Sequence, residues 1–133
     1  MDSPRITIFH CTNTLSGTDA AELEASAKIR LQTITMACSG MTKDVFLLRA
    51  FESGADAVVV LACPEDACRH MQGSIRARKR VEWVKDLLDE IGISGERLSF
   101  HNVVPGDSAA IRRILKETAV RVREIDPNPA RAA

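Results

Sequence analysis

Four cysteines are the residues of this chain whose type and spacing could do distinctive chemistry: Cys11, Cys38, Cys63 and Cys68. Three of them close apolar, strand-like runs. RITIFHC ends on Cys11, QTITMAC on Cys38 and ADAVVVLAC on Cys63. Cys68 follows in CPEDAC, which makes a C-x4-C pair with Cys63. Thiolates converging on one point suit zinc or an iron–sulfur cluster. Structural zinc usually takes two close cysteine pairs. A two-iron cluster spreads its ligands over two metals and accepts scattered ones. Each cysteine alone also reads as small hydrophobic filler, since free cysteine is among the most buried residue types. Cys68, in a polar loop, fits that reading least.

The same loop carries a rival pattern. Cys63 and Arg69 are spaced C-x5-R between a strand and a helix, as in thiol phosphatases and arsenate reductases. There, loop amides and the arginine hold an oxyanion while the thiolate attacks. Glu65 and Asp66 inside the loop would repel a phosphate, and Pro64 removes one amide donor. Two histidines flank the cysteines. His10 points to the face opposite Cys11, and His70 opens a helix or lies at the surface. His101 falls in the last strand and is given no role.

The elements that must position these residues alternate. Arg5–Cys11 reads as a buried first strand. Thr18 caps a helix from Asp19 to about Arg30. Gln32–Cys38 is a second strand. A helix capped by Thr42 runs through Phe51, with Val45, Leu48 and Phe51, or Leu47 and Ala50, facing inward. Gly54 is a left-handed stop, and Ala57–Cys63 is the third strand. A helix over about Ile75–Ile91 carries the stripe Val81, Val84, Leu87, Leu88 and Ile91, and Gly92 ends it. Leu98–Val104 forms a fourth strand. A last helix begins at Ser108 and buries Ile111, Ile114, Leu115, Ala119 and Val122.

Fourfold strand–helix alternation implies an α/β fold with a four-stranded parallel sheet and helices on both faces. By analogy with flavodoxin-like three-layer sandwiches, the strand order is expected to be 2-1-3-4. Parallel neighbours lie about 4.8 Å apart. The carboxyl ends of strands 2, 1 and 3 would then fall within about 10 Å, at the crevice where such sheets bind ligands. A single domain over residues 1–126 and a disordered tail over 127–133 are expected.

With 18 basic and 18 acidic residues, nothing draws the chain generally to nucleic acid or to an anionic membrane. The longest apolar run is too short to span a bilayer, and MDSPRITIF lacks a signal pattern. A cytoplasmic address follows, where clustered cysteines bind metal or do redox work more often than they form disulfides. The cations Arg76, Arg78, Lys79 and Arg80 read as a solvated helix face, or as a dock for an acidic partner or a flavin's phosphates.

These residues match a family. The chain resembles the delta subunit of methyl-viologen-reducing hydrogenase, the MvhD/FlpD family of small iron–sulfur subunits. The resemblance rests on Cys11 at a strand end, ACSGM around Cys38, FESGADAVVVLAC, the C-x4-C of Cys63 and Cys68, Gly73, RKRVEWVKDLLDEIGI and ERL. It covers roughly residues 5–124 and implies a 2Fe–2S cluster held by Cys11, Cys38, Cys63 and Cys68. It also implies a relay, without bond chemistry, in a heteromeric complex. Electrons would pass between a partner dehydrogenase, hydrogenase or reductase and a heterodisulfide-reductase A-like flavoprotein. Two departures stand out. The family usually carries C-x2-C at the first strand end, where this chain has Thr14, and a His where it has Arg69. Two alternatives follow: a cluster-free adaptor within such a complex, and a thiol-dependent phosphatase or reductase using Cys63 and Arg69.

Overall fold

Residues 4–11, 20–36, 44–62, 71–104, 107–125 and 128 are described by the computed structural model. Their order is β1 (Arg5–Cys11), α1 (Ala20–Ala27), β2 (Arg30–Met36), α2 (Asp44–Glu52), β3 (Ala57–Ala62), α3 (Met71–Glu90), β4 (Leu98–Asn102) and α4 (Ser108–Arg123). The strands form one parallel sheet in the order β2-β1-β3-β4. The expected class, parallel direction and strand order are all observed.

Strand β3, AVVVLA, is buried along its whole length. Alternate side chains of a strand point to opposite faces, so a strand with no polar face must be covered twice. On one side Ala57, Val59 and Leu61 join Ile6 and Ile8 of β1. These pack on Leu23 and Ala27 of α1 and on Ile111, Ile114, Leu115, Ala119 and Val122 of α4. On the other side Val58 and Val60 join Phe9 and Leu98. These pack on Leu47, Ala50 and Phe51 of α2 and on Val81, Val84 and Leu88 of α3.

Several boundaries differ from those expected, each for a local reason. α1 stops at Ala27 rather than near Arg30 because Lys28 adopts a left-handed conformation, φ 56°. The Ile29 N–H then closes onto the Glu24 carbonyl at 3.1 Å, and β2 begins two residues early. α3 begins a turn early, at Met71. Its inner stripe is Ala77, Val81, Val84 and Leu88, whereas Ile91 is exposed just past the helix end. Gly92, φ 84°, supplies the stop there. In α2 the inward set is Leu47, Ala50 and Phe51, with Val45 exposed. A 3-10 turn at Gly95–Arg97, not expected, leads into β4. The expected caps Thr18 and Thr42 lie outside the described residues.

The amino edge of the sheet is held by one buried carboxylate. Asp56 Oδ2 accepts the Arg5 N–H at 2.9 Å, and its Oδ1 accepts the Asn128 N–H at 3.1 Å. The Asp56 carbonyl accepts from Arg97 Nη1 at 3.1 Å, and Arg97 Nε donates to the Ile93 carbonyl at 2.7 Å. Asn128, assigned by sequence to the tail, is buried. Its Nδ2 donates to the carbonyls of Phe51 and Ala55, both at 2.8 Å. These two acceptors lie where α2 hands over to β3, so one amide holds that turn closed. Asn128→Ala is expected to lower the unfolding free energy by about 1–3 kcal/mol, because both carbonyls lose a donor in a buried place. Ending the chain at residue 126 should cost at least as much. Denaturant titration checks both, and variants unfolding with the parent would show that these contacts carry no stability.

Candidate functional site

The three strands that sequence links to cysteines are consecutive neighbours, β2-β1-β3. All three run in the same direction, so their carboxyl ends share one edge. Register places Cys11, the last residue of β1, opposite Met36, the last of β2. It also places His10 opposite Leu61, one residue before β3 ends at Ala62. The three strand ends are therefore level to within about a residue. Cys38, Cys63, Cys68, Arg69, His70 and the Cys11 side chain lie outside the described residues. Among the described residues no group of three or more His, Cys, Asp or Glu could hold a metal ion. No helix among them is long and apolar enough to cross a membrane.

His10 behaves as its place in the pleat requires. It is buried, and its Nε2 lies 3.3 Å from Thr35 Oγ1 on the neighbouring strand. Ile6 and Ile8, which share its face of the strand, belong to the α1–α4 side of the sheet. The helix layer of the opposite face brings its amino-terminal turns to the cysteine edge, since each crossover helix runs back against its strand. In the first half of α3, Arg76, Arg78, Lys79 and Arg80 are all exposed, as is Trp83 one turn further on. Val45 and Phe46, in the first turn of α2, are exposed as well.

The chain is matched over residues 6–126 by the profile of a family described as methyl-viologen-reducing hydrogenase, delta subunit, or FlpD. The chain belongs to the FlpD family. Three relatives show how such chains occur. The vhu iron–sulfur subunit of an F420-non-reducing hydrogenase from Methanococcus maripaludis is 34% identical over 99% of this chain and 100% of the relative. Its counterpart in Methanocaldococcus jannaschii is 32% identical over 89% of this chain and 85% of the relative. The third relative, from Methanosarcina acetivorans, belongs to a ferredoxin/F420H2-dependent CoB-CoM heterodisulfide reductase. It is 30% identical over 80% of this chain but only 14% of itself. FlpD-like sequence thus occurs both as a chain of its own and as a small part of a much longer polypeptide.

A second polar cluster, to which the sequence reading gave no role, sits away from the cysteine edge. Leu98 and Phe100 of β4 pack with the α2–α3 core, so Ser99 and His101 point to the α4 side. Burial holds the His101 pKa below its ordinary value of 6.5, and the nearby Arg121 guanidinium lowers it further. Glu117 opposes this, while Arg113 and Lys85 add to it. Ser99 Oγ, His101 Nε2 and Arg121 Nε are buried without a hydrogen-bond partner among the described residues. Each such group ordinarily costs about 1–3 kcal/mol. No short motif marks the cluster: it arises only because β4 alternates against one face of α4.

The lowered His101 pKa has a sign in the pH dependence of stability. Between the folded value and about 6.5 the unfolded chain binds more protons than the folded one. Stability contributed by neutral His101 is therefore present above that window and is lost as pH falls through it. His101→Gln should flatten the acid side of the stability curve, measured by unfolding between about pH 5 and 7. A parent-minus-variant difference that does not change with pH would contradict this.

Proposed function

We infer that this chain is an electron-transfer subunit that carries a 2Fe–2S cluster on Cys11, Cys38, Cys63 and Cys68. It relays electrons between a partner oxidoreductase and a heterodisulfide-reductase A-like flavoprotein. The observation that carries the reading is connectivity at one sheet edge. β1 ends on Cys11, Cys38 follows the end of β2 by two residues, and Cys63 follows the end of β3 directly. Consecutive Cα atoms are about 3.8 Å apart and neighbouring strands about 4.8 Å. These distances leave three cysteines within reach of one small centre, with Cys68 five residues after Cys63 in the sequence. The donor set fits the group: four thiolates are the usual complement of a two-iron cluster, with no histidine required. When bound, such a cluster supplies one-electron exchange at a potential set by net charge, hydrogen bonds to sulfur and solvent exposure. The chain's own part is to hold the four thiolates, with Glu65 and Asp66 between Cys63 and Cys68 adding negative charge that lowers the potential.

Family membership and the iron–sulfur names of the relatives support this reading. The relative in which an FlpD-like segment makes up 14% of a heterodisulfide reductase polypeptide supports the choice of flavoprotein partner. A relay of this kind belongs in the cytoplasm, beside the rest of its complex. Thr14, in place of a usual second cysteine, favours one other reading: an adaptor that keeps the interfaces without the cluster.

Chain purified without oxygen is expected to contain about two irons and two acid-labile sulfides. Cys38→Ser or Cys63→Ser should lose both while leaving the far-ultraviolet circular dichroism unchanged. Iron-free chain that resists reconstitution yet still binds the flavoprotein would replace the relay with the adaptor. Rapid alkylation of one thiol at low pH, without iron, would favour the Cys63–Arg69 thiol enzyme.

Docking is placed on the exposed first half of α3, where Arg76 and Lys79 stand beside Trp83, so that an acidic partner comes to rest next to the cysteine edge. Paired Arg76→Glu and Lys79→Glu changes should weaken flavoprotein binding by about tenfold or more at low salt, through a slower association rate. Equal binding by parent and variant across a salt series would remove α3 from the interface.

A further inference from the structure

The outermost strand of the sheet is covered on neither face. Parallel sheets ordinarily bury both faces of their strands, yet Gln32, Thr33, Ile34 and Thr35 of β2 are all exposed. Register sets Thr33 and Thr35 beside Ile8 and His10, on the α1–α4 side. It sets Gln32 and Ile34 beside Thr7 and Phe9, on the α2–α3 side. The rim of β2 is as open as its faces. The Arg30 N–H turns inward to the Pro4 carbonyl at 2.8 Å, and the Leu31 N–H turns outward to Glu24 Oε1 at 2.8 Å. Main-chain groups of a parallel strand alternate in this way from one residue to the next. Thr33 and Thr35 therefore aim N–H and C=O away from β1, and among the described residues no strand lies on that side. Edges are usually protected by charge or proline. Residues 31–36 read LQTITM and carry neither.

We propose that β2 pairs with β2 of a second copy of this chain, antiparallel, about a two-fold axis at Ile34. Such an axis, normal to the sheet, sets a strand against itself and lets facing residues exchange both main-chain bonds. Thr33 then faces the second copy's Thr35, and Thr35 its Thr33, so every outward group of the two threonines is used. Ile34 meets its own counterpart in a non-hydrogen-bonded pair, where side chains stand closest. Threonine opposite threonine and isoleucine opposite isoleucine are favourable cross-strand pairs. Registers centred on Gln32 or Thr33 would call on the Leu31 N–H, which Glu24 holds. A register centred on Thr35 would run past the end of β2 at Met36. The occupant is a second copy because the strip is neutral and reads alike in both directions about Ile34. Nothing in it repels itself, and two-fold pairing leaves no β2 rim open to a third chain. Helix α3 packs beside β4, at the other side of the sheet, and stays open to a different partner.

The test is sedimentation velocity of the full chain in oxygen-free, reducing buffer. A seam this short sits at the weak end of protein interfaces, so a reversible monomer–dimer equilibrium is expected between about 1 μM and about 1 mM. Ile34→Lys, which sets two like charges together at the axis, should weaken the dimer by about tenfold or more. Val120→Lys, at an exposed apolar position of α4, should leave it unchanged. Both positions are at the surface, so both variants should fold as the parent does. Ile34→Cys should give a covalent dimer on mild oxidation, with the bond mapped to position 34 of both chains, because a Cα separation of about 4.5 Å is within disulfide reach. A monomer at every concentration would overturn the proposal. So would a dimer weakened equally by Ile34→Lys and Val120→Lys. A monomer that loses flavoprotein binding on Ile34→Lys would give the edge to a partner's strand and end the self-pairing as well.

Discussion

One constraint governs the rest of the molecule: β3 is apolar on both faces. No member of Ala57–Ala62 is more than 1% exposed. A strand of this kind has no solvent side, so the chain must supply helices above and below it. The crossovers that do so are possible only if neighbouring strands run parallel. Parallel strands then put every carboxyl end on one edge. The collection of three cysteine-bearing strand ends at that edge follows from covering a valine-rich strand, before any metal enters the argument.

The two edges of the sheet consequently do different work. At the amino edge a buried carboxylate, Asp56, ties the start of β1 to Asn128, and Arg97 ties the 3-10 turn to the Asp56 carbonyl. Buried polar groups of this kind persist where they are hydrogen-bonded, and these contacts lock the amino edge. At the carboxyl edge the described strands stop and the cysteines begin. Stiffness at one end of a parallel sheet fixes the spacing of strand ends at the other, because the hydrogen-bonded register between them does not slip. The outermost strand shows the same economy. Four consecutive residues of β2, Gln32–Thr35, are exposed, while Glu24 Oε1 accepts the Leu31 N–H at 2.8 Å. A side chain of α1 thereby occupies one backbone donor of β2 in place of another strand.

What could be read beforehand was whatever repeats with a period. β1 is the expected continuously buried strand, from Ile6 to His10, and ends on Cys11. The five apolar positions of α4 all turn inward, and the order β2-β1-β3-β4 is the expected one. What escaped was set by single backbone conformations or by contacts between distant segments. Lys28 enters the left-handed region although glycine or asparagine is the usual marker there, so the end of α1 had no signal. Ile91 kept the helical spacing of its stripe but lies one residue past the last turn, and spacing alone cannot see that. Asn128 sits between two prolines in a segment that reads as tail, yet its amide finds two carbonyls more than seventy residues back in the chain. His101 carries no motif; its surroundings exist only once β4 lies against α4.

The distribution of cysteines also says something about how a cluster would depend on the fold. One cysteine follows β2, one ends β1, and two lie in the sequence between β3 and α3. Zinc knuckles keep their paired ligands close in sequence and can bind before folding is complete. Here three separate strands must be aligned before the cysteines meet, so the apolar core, not a metal, would bear the cost of gathering them. That order of events suits a relay. A centre held by such a preformed edge would exchange one electron with little movement of the surrounding chain. It also explains how Thr14 could replace a cysteine without loss of architecture. The sheet edge is specified by Val58–Leu61 and their neighbours, and nothing in that specification refers to the thiols.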